Sequence, residues 1–193
     1  PAPNTEFLMP DSRTRLLVIT GSLRRASFNR MVAQTLPELV AADVEIALHA
    51  TLGDIPLYDQ DTFDAGLPDG VAQLAEAVFA ADGVVIVTPE YNYSVPGALK
   101  NALDWLSRLP GKPMGSRPVA LQSASMGMLG GVRAQYHLRQ VLVALDARVM
   151  NLPEVMIGQV QNKVDADAGR LVDGDSREHI RHQLDAFVRF IRR

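Results

Sequence analysis

The densest chemistry in the chain lies in Gly21-Ser22-Leu23-Arg24-Arg25-Ala26-Ser27-Phe28-Asn29. Ser22, Ser27 and Asn29 bring short side-chain donors, and Arg24 brings a fixed positive charge. The stretch follows the apolar run Leu16-Leu17-Val18-Ile19-Thr20 and precedes Asn29–Leu36, whose apolar residues fall at helical spacing. A loop that joins a strand end to a helix start leaves backbone N–H groups unpaired, and the helix dipole favours an anion there. Such a donor set forms a phosphate cradle. The plainer alternative is that Ser27 or Asn29 caps the helix and Gly21 only permits the turn. The stretch lacks the Gly-x-Gly-x-x-Gly dinucleotide pattern and the Gly-Lys-Ser/Thr ending of a nucleoside triphosphate loop.

Two further loops carry usable groups. Pro89-Glu90-Tyr91-Asn92-Tyr93-Ser94-Val95-Pro96-Gly97 is stiffened by two prolines. Its backbone amides and Asn92 suit the edge of a planar heterocycle, and Tyr91 can flank a ring face. The alternative is a tight turn with a tyrosine packed under it. Ser123-Ala124-Ser125-Met126-Gly127-Met128-Leu129-Gly130-Gly131 is a small-residue loop where a flat ring could approach the backbone; simple turn chemistry also accounts for it.

The elements that must position these loops read as βα repeated five times. Strands are expected at 16–20, 44–48, 84–87, 119–122 and 147–150. Helices are expected over 29–36, 71–79, 98–106, 136–145 and 180–191, with Pro37 shortening or kinking the first. Residues 51–70 read as a long loop, and 158–175 as polar and glycine-containing. Alternating strands and helices imply a parallel sheet with helices on both faces. Right-handed crossovers make it doubly wound, and the flavodoxin-like strand order 2-1-3-4-5 puts ligands at the carboxyl ends of strands 1 and 3. The three loops follow strands 1, 3 and 4, so they are expected to meet on one edge. Residues 1–14, with Pro1, Pro3, Asn4 and Pro10, read as a loose tail before a single domain over 15–193.

Composition narrows the partners. The net charge of -3 gives no electrostatic case for nucleic acid, and no basic stripe carries interleaved aromatics. Zero cysteines exclude disulfides, thiol catalysis and Cys-ligated zinc, and agree with a cytoplasmic protein. No apolar run approaches the roughly 20 residues of a membrane helix, and no export signal is read at the start. His179 and His182 stand i, i+3 without a third metal ligand, and Asp59, Asp61 and Asp64 lack the rest of a calcium loop. No nucleophile elbow surrounds Ser123 or Ser125.

Together the motifs Gly-Ser-Leu-Arg-x-x-Ser-Phe-Asn, Pro-Glu-Tyr-Asn-Tyr-Ser-Val-Pro-Gly-x-Leu-Lys-Asn-Ala-x-Asp-Trp-Leu-Ser-Arg and Ser-Met-Gly-x-x-Gly-Gly resemble the NAD(P)H-dependent FMN reductase family. The likeness is to its bacterial chromate/quinone reductase branch and runs from about Leu16 to the C-terminus. Residues 135–140 and 161–165 share it. The resemblance implies a flavodoxin-like fold holding FMN non-covalently, with NADPH or NADH as co-substrate. It places the FMN phosphate on Ser22, Arg24, Ser27 and Asn29, with Leu23 and Phe28 giving backbone. The isoalloxazine would rest on Pro89, Glu90, Tyr91 and Asn92, with Ser125 and Gly127 on the other side. The backbone amides of 125–127 would face flavin N1 and O2. The implied activity is hydride transfer to flavin N5 and then reduction of a quinone, with chromate as a side substrate. The flavin carries the chemistry, so no side chain is read as catalytic. The resemblance also implies a homodimer or homotetramer, with Tyr93, Arg133, Tyr136 and Glu154 between subunits. The other reading is a flavodoxin-type electron carrier without direct NAD(P)H turnover. A carrier wants a charged docking face, which the mixed charges do not provide.

Overall fold

A computed structural model of the chain describes residues 13–193. The expected tail lies almost wholly outside the described residues, and the first strand is already under way at Thr14. In chain order, β1 (Thr14–Thr20), α1 (Phe28–Thr35), β2 (Val44–Leu48), α2 (Gln60–Ala65), α3 (Asp69–Ala80) and β3 (Gly83–Thr88) form the first half. Then come α4 (Gly97–Arg108), β4 (Pro118–Ala124), α5 (Val132–Ala144), β5 (Arg148–Val149), β6 (Val155–Ile157), β7 (Val164–Asp165), β8 (Arg170–Leu171) and α6 (Gly174–Ile191).

The sheet order is β2-β1-β3-β4-β5, all parallel, as the sequence predicts. The position beyond β4 is shared. β5 pairs with the start of β4 through Pro118↔Arg148 and Val119↔Val149. β6 pairs with its end through Gln122↔Val155, Ser123↔Met156 and Ala124↔Ile157. The sequence pattern predicts only the first of these, because Val155-Met156-Ile157 is too short to stand out by periodicity.

The central strands bury both faces, so their apolar runs are continuous rather than alternating. Leu17, Ile19, Val84, Ile86, Val119 and Leu121 pack on one side with Leu74, Leu103, Trp105 and Leu138 from α3, α4 and α5. Leu16, Val18, Val85, Val87 and Ala120 pack on the other with Val32 from α1 and Ile180, Leu184 and Phe187 from α6. β2 is the exposed edge, matching its alternation. Pro37 ends α1 as expected: the helix stops at Thr35 and a 3-10 turn spans Leu36–Glu38.

Two segments hold more structure than expected. Within 51–70, Asp59 caps α2 by accepting from Asp61 N–H at 2.8 Å. The segment before it is pinned from α4. Trp105 Nε1–H and the Asn101 side-chain amide both donate to Pro56 O, each at 2.8 Å. Asn101 Oδ1 accepts from Tyr58 N–H at 2.8 Å. The Asn and Trp of the second motif are thus braces for a loop 43 to 49 residues away in sequence. Within 158–175, β7 and β8 form an antiparallel pair, which Leu171 N–H ties to Thr35 Oγ1 at 3.0 Å.

Candidate functional site

Register brings the three loops to one edge. Thr20 stands beside Val87, and Thr88 beside Ser123, so β1, β3 and β4 end side by side. Gly21 N–H continues the ladder onto Val87 O at 2.9 Å. A Cβ at Gly21 would come 2.6 Å from Thr88 Oγ1 and 3.2 Å from a Leu99 methyl. Glycine is required there because the chain crosses directly over β3 before turning into α1.

Side chains then lock the loops pairwise. Asn29, buried in the first turn of α1, donates to Ala124 O and accepts from Ala124 N–H, both at 2.9 Å. This two-point clasp joins the first loop to the third. The Ser22 and Tyr91 hydroxyls lie 3.3 Å apart and join the first loop to the second. Glu90 joins the second loop to the helix after the third: its Oε2 accepts from Arg133 N–H at 2.9 Å and Ala134 N–H at 3.3 Å. A carboxylate on the first-turn amides of α5 is favoured by the helix dipole. Its Oε1 meets the Arg133 guanidinium at 3.3 Å.

The first loop is built as both alternatives require. Ser27 is the N-cap of α1, accepting from Arg30 N–H at 3.4 Å. The amides of Phe28 and Asn29 precede any intrahelical acceptor and open outward. Arg24 is exposed, its guanidinium 5.8 Å from the Phe28 ring centre. Among the described residues no carboxylate pairs with it. Leu23 is about half exposed and offers only its backbone to a polar ligand.

The second loop is a two-residue turn. Tyr91 and Ser94 exchange both backbone hydrogen bonds at 3.0 Å. Asn92 and Tyr93 sit at its tip with φ of 49° and 65°. Positive φ at both central residues belongs to the tight primed turn, and is costly for tyrosine. Arg133 stacks over the Tyr93 ring at 4.2 Å, which offsets part of that cost. Pro89 is buried beneath the turn, while Tyr91 and Asn92 are exposed on it.

The third loop uses its polar groups internally. Ser125 N–H donates to Ile157 O at 3.0 Å, and Ser125 O accepts from Val160 N–H at 3.1 Å. Gly127 O accepts from Gln159 N–H at 3.1 Å. Of the amides expected to face a ring edge, that of Ser125 is therefore committed to β6. Gly127 itself is exposed. Below the loop, Ser123 Oγ donates to Gly130 O at 2.6 Å. Gln135 Nε2 reaches Ser123 Oγ at 2.8 Å and Val155 O at 2.7 Å. The bracing roles of Ser123 and Gln135 have no local signal in the sequence, because their partners lie 7 to 20 residues away along the chain.

A strand-end edge whose first loop presents donors without an opposing carboxylate defines a flavodoxin-like site for a phosphorylated ligand. Residues 14–162 match the family described as NADPH-dependent FMN reductase. A quinone reductase of Escherichia coli K12 is 54% identical over 182 residues, which cover 94% of this chain and 97% of that one. An NAD(P)H-dependent FMN reductase of Pseudomonas aeruginosa is 47% identical over 179 residues, covering 93% and 96%. Among solved structures, the flavoenzyme FerB, an NAD(P)H:(acceptor) oxidoreductase of Paracoccus denitrificans, superimposes with a TM-score of 0.82 at 33% identity, covering 93% of this chain and 97% of FerB. The chain belongs to the NADPH-dependent FMN reductase family. FMN and a reduced nicotinamide are the groups its site serves.

The residues present fit FMN. The Gly21 crossing, the open amides of α1 and the unpaired Arg24 suit a phosphate dianion. Glu90, the one carboxylate in the three loops, is occupied by the amides of α5 and so is not left as a free negative charge.

Proposed function

We propose that this chain is an FMN-dependent NAD(P)H oxidoreductase that reduces quinones, with chromate-like oxidants as side substrates. The observation that carries this reading is the pairwise clasping of three loops around a first loop rich in unopposed donors. The names of the related quinone reductases supply the acceptor class. Ser22, Arg24, Ser27 and Asn29 would surround the FMN phosphate, with the Leu23 and Phe28 backbone beside them. Asn29 contributes its amide N–H, because its side chain is held by Ala124. Pro89, Glu90, Tyr91 and Asn92 would line one side of the ring system, and Ser125 and Gly127 the other. When bound, FMN supplies the redox chemistry, accepting a hydride from NAD(P)H and returning electrons to the acceptor.

The chain's own residues then bind and orient. The rigid Asn92–Tyr93 turn holds one wall fixed, and the Ser125–Ile157 and Gln159–Gly127 bonds hold the other. Exposed Leu23, Tyr91, Met126 and Met128 on the same three loops give an apolar rim that suits an aromatic acceptor. Oligomers are part of the same reading. Tyr93 and Tyr136 are exposed, Arg133 lies against Tyr93, and Glu154 pairs with Arg139 at 3.7 Å. These four would meet a second copy in a homodimer or homotetramer. Among the described residues no helix is long and apolar enough to cross a membrane. The cysteine-free composition suits the reducing cytoplasm.

An absorption spectrum of the purified protein, taken before and after NADPH is added without oxygen, tests the reading. A flavin spectrum that bleaches at once, and recovers on addition of a quinone, is expected. Bound flavin that NADPH and NADH leave oxidised contradicts it.

A further inference from the structure

One cavity on the carboxyl edge is left over after FMN is accounted for. It lies one strand outward, between the ends of β1 and β2, and measures about 200 Å³. Thr20, Arg30, Ala33, Gln34, Leu48, His49 and Ala50 line it. Thr20 is the last residue of β1, directly before the first loop, and Arg30 lies on α1 three residues past its cap. The polar lining is a hydroxyl, a guanidinium, an amide and an imidazole, with no carboxylate. Among the described residues Arg30 has no acidic partner; its one hydrogen bond to a side chain uses its backbone N–H. His49 is half-buried, and burial pushes its imidazole below the usual range.

An exposed arginine aimed at solvent needs no explanation. Here it borders a cavity with three other hydrogen-bonding groups, on the edge where the cofactor loops gather. The dinucleotide co-substrate is longer than FMN. With its nicotinamide end at the ring, its far end must extend along this edge or away from it. NADPH differs from NADH only by a phosphomonoester on the adenosine ribose. We infer that the Arg30, Gln34, His49 and Thr20 cavity takes that 2′-phosphate and so sets a preference for NADPH over NADH. This rests on the proposed NAD(P)H oxidoreductase function. The shared chemistry is phosphomonoester recognition, in which a guanidinium offers paired donors to a dianion.

The test uses the FMN-loaded protein and calorimetric titration with 2′,5′-ADP, 5′-AMP and inorganic phosphate. 2′,5′-ADP is expected to bind about tenfold or more tighter than 5′-AMP, the worth of one charge-assisted contact. Arg30→Ala should erase that margin and Arg30→Lys restore part of it. In steady-state turnover, the ratio of KM for NADH to KM for NADPH should fall toward one in Arg30→Ala. Equal affinity for 2′,5′-ADP and 5′-AMP overturns the inference, as does a margin that survives Arg30→Ala. Inorganic phosphate binding as tightly as 2′,5′-ADP makes this a free-anion site and overturns the dinucleotide assignment. Failure of both nucleotides to reduce the protein would instead refute the oxidoreductase reading, while a persistent 2′,5′-ADP margin would show the cavity intact.

Discussion

The first and third loops sit on the same edge but are built in opposite ways. The first, between β1 and α1, leaves the Phe28 and Asn29 amides without an intrahelical acceptor and, among the described residues, the Arg24 guanidinium without a carboxylate. The third, between β4 and α5, ties its backbone to β6 and the residues after it at three points. Two residues show the contrast. Asn29 is the buried anchor of an otherwise exposed loop, whereas Gly158 lies under a loop whose backbone closes directly over it: a Cβ there would be 2.2 Å from Met128 O. A loop that must hold a charged group keeps hydrogen-bonding capacity in reserve. A loop that must present a smooth wall uses that capacity to become rigid.

That difference can be broken at several strengths. Gly158→Ala should have the largest effect, forcing the third loop off β6 and destabilising the fold by about 3 kcal/mol, the upper range for overpacking. Thermal unfolding with and without FMN measures it, and FMN should recover only part of the loss. Asn29→Ala removes two buried hydrogen bonds and leaves Ala124 unpaired. About 2 kcal/mol of stability should go, together with FMN affinity, because the first and third loops lose their clasp. Arg24→Ala should leave the melting temperature of the FMN-free protein within a degree or two. It should weaken FMN by roughly thirtyfold, about 2 kcal/mol for one charged contact, with the spectrum of bound flavin preserved. A change in the spectrum with intact affinity would place Arg24 by the ring and not the phosphate.

The smallest effect lies away from the edge, at the Asp173 cap of α6. Its carboxylate accepts from Ser176 N–H at 2.9 Å, and hydrogen bonding from the Ser176 hydroxyl first, and from that N–H second, holds its pKa below the ordinary carboxylate value. A group whose pKa is lowered by folding stabilises above its unfolded value, and that contribution disappears as pH falls through the folded one. Asp173→Ala should therefore cost about 1 kcal/mol near neutrality. The gap between variant and parent melting temperatures should close as the solution is taken below the carboxylate range. A gap that holds constant with pH would show that the charge contributes nothing to the cap.

Much of this was legible in the sequence, for a physical reason. In a doubly wound sheet the central strands are apolar on both faces and the loops at their ends are not. The order of runs and breaks therefore gives topology, and topology gives the edge. Gly21 to Asn29 stood out because cap, charge and glycine fall within nine consecutive residues. What could not be read were interactions closed over long separations. The local pattern presents Asn29 as a side-chain donor to a ligand, and only the fold shows its side chain holding a backbone 95 residues on. Asn101 and Trp105 lie inside a recognisable motif, yet their partner, Pro56, lies in a loop whose path only the fold defines. β6 is three residues long and forms only because β4 extends beyond β5.

The central claim is that the first loop recognises a phosphate, and comparing FMN with riboflavin tests it most directly. Both carry the same ring and ribityl chain and differ only in the phosphate. Fluorescence titration of the flavin-free protein should show FMN binding roughly a hundredfold or more tighter, with most of that margin lost in Arg24→Ala. Equal affinity for FMN and riboflavin would contradict the account.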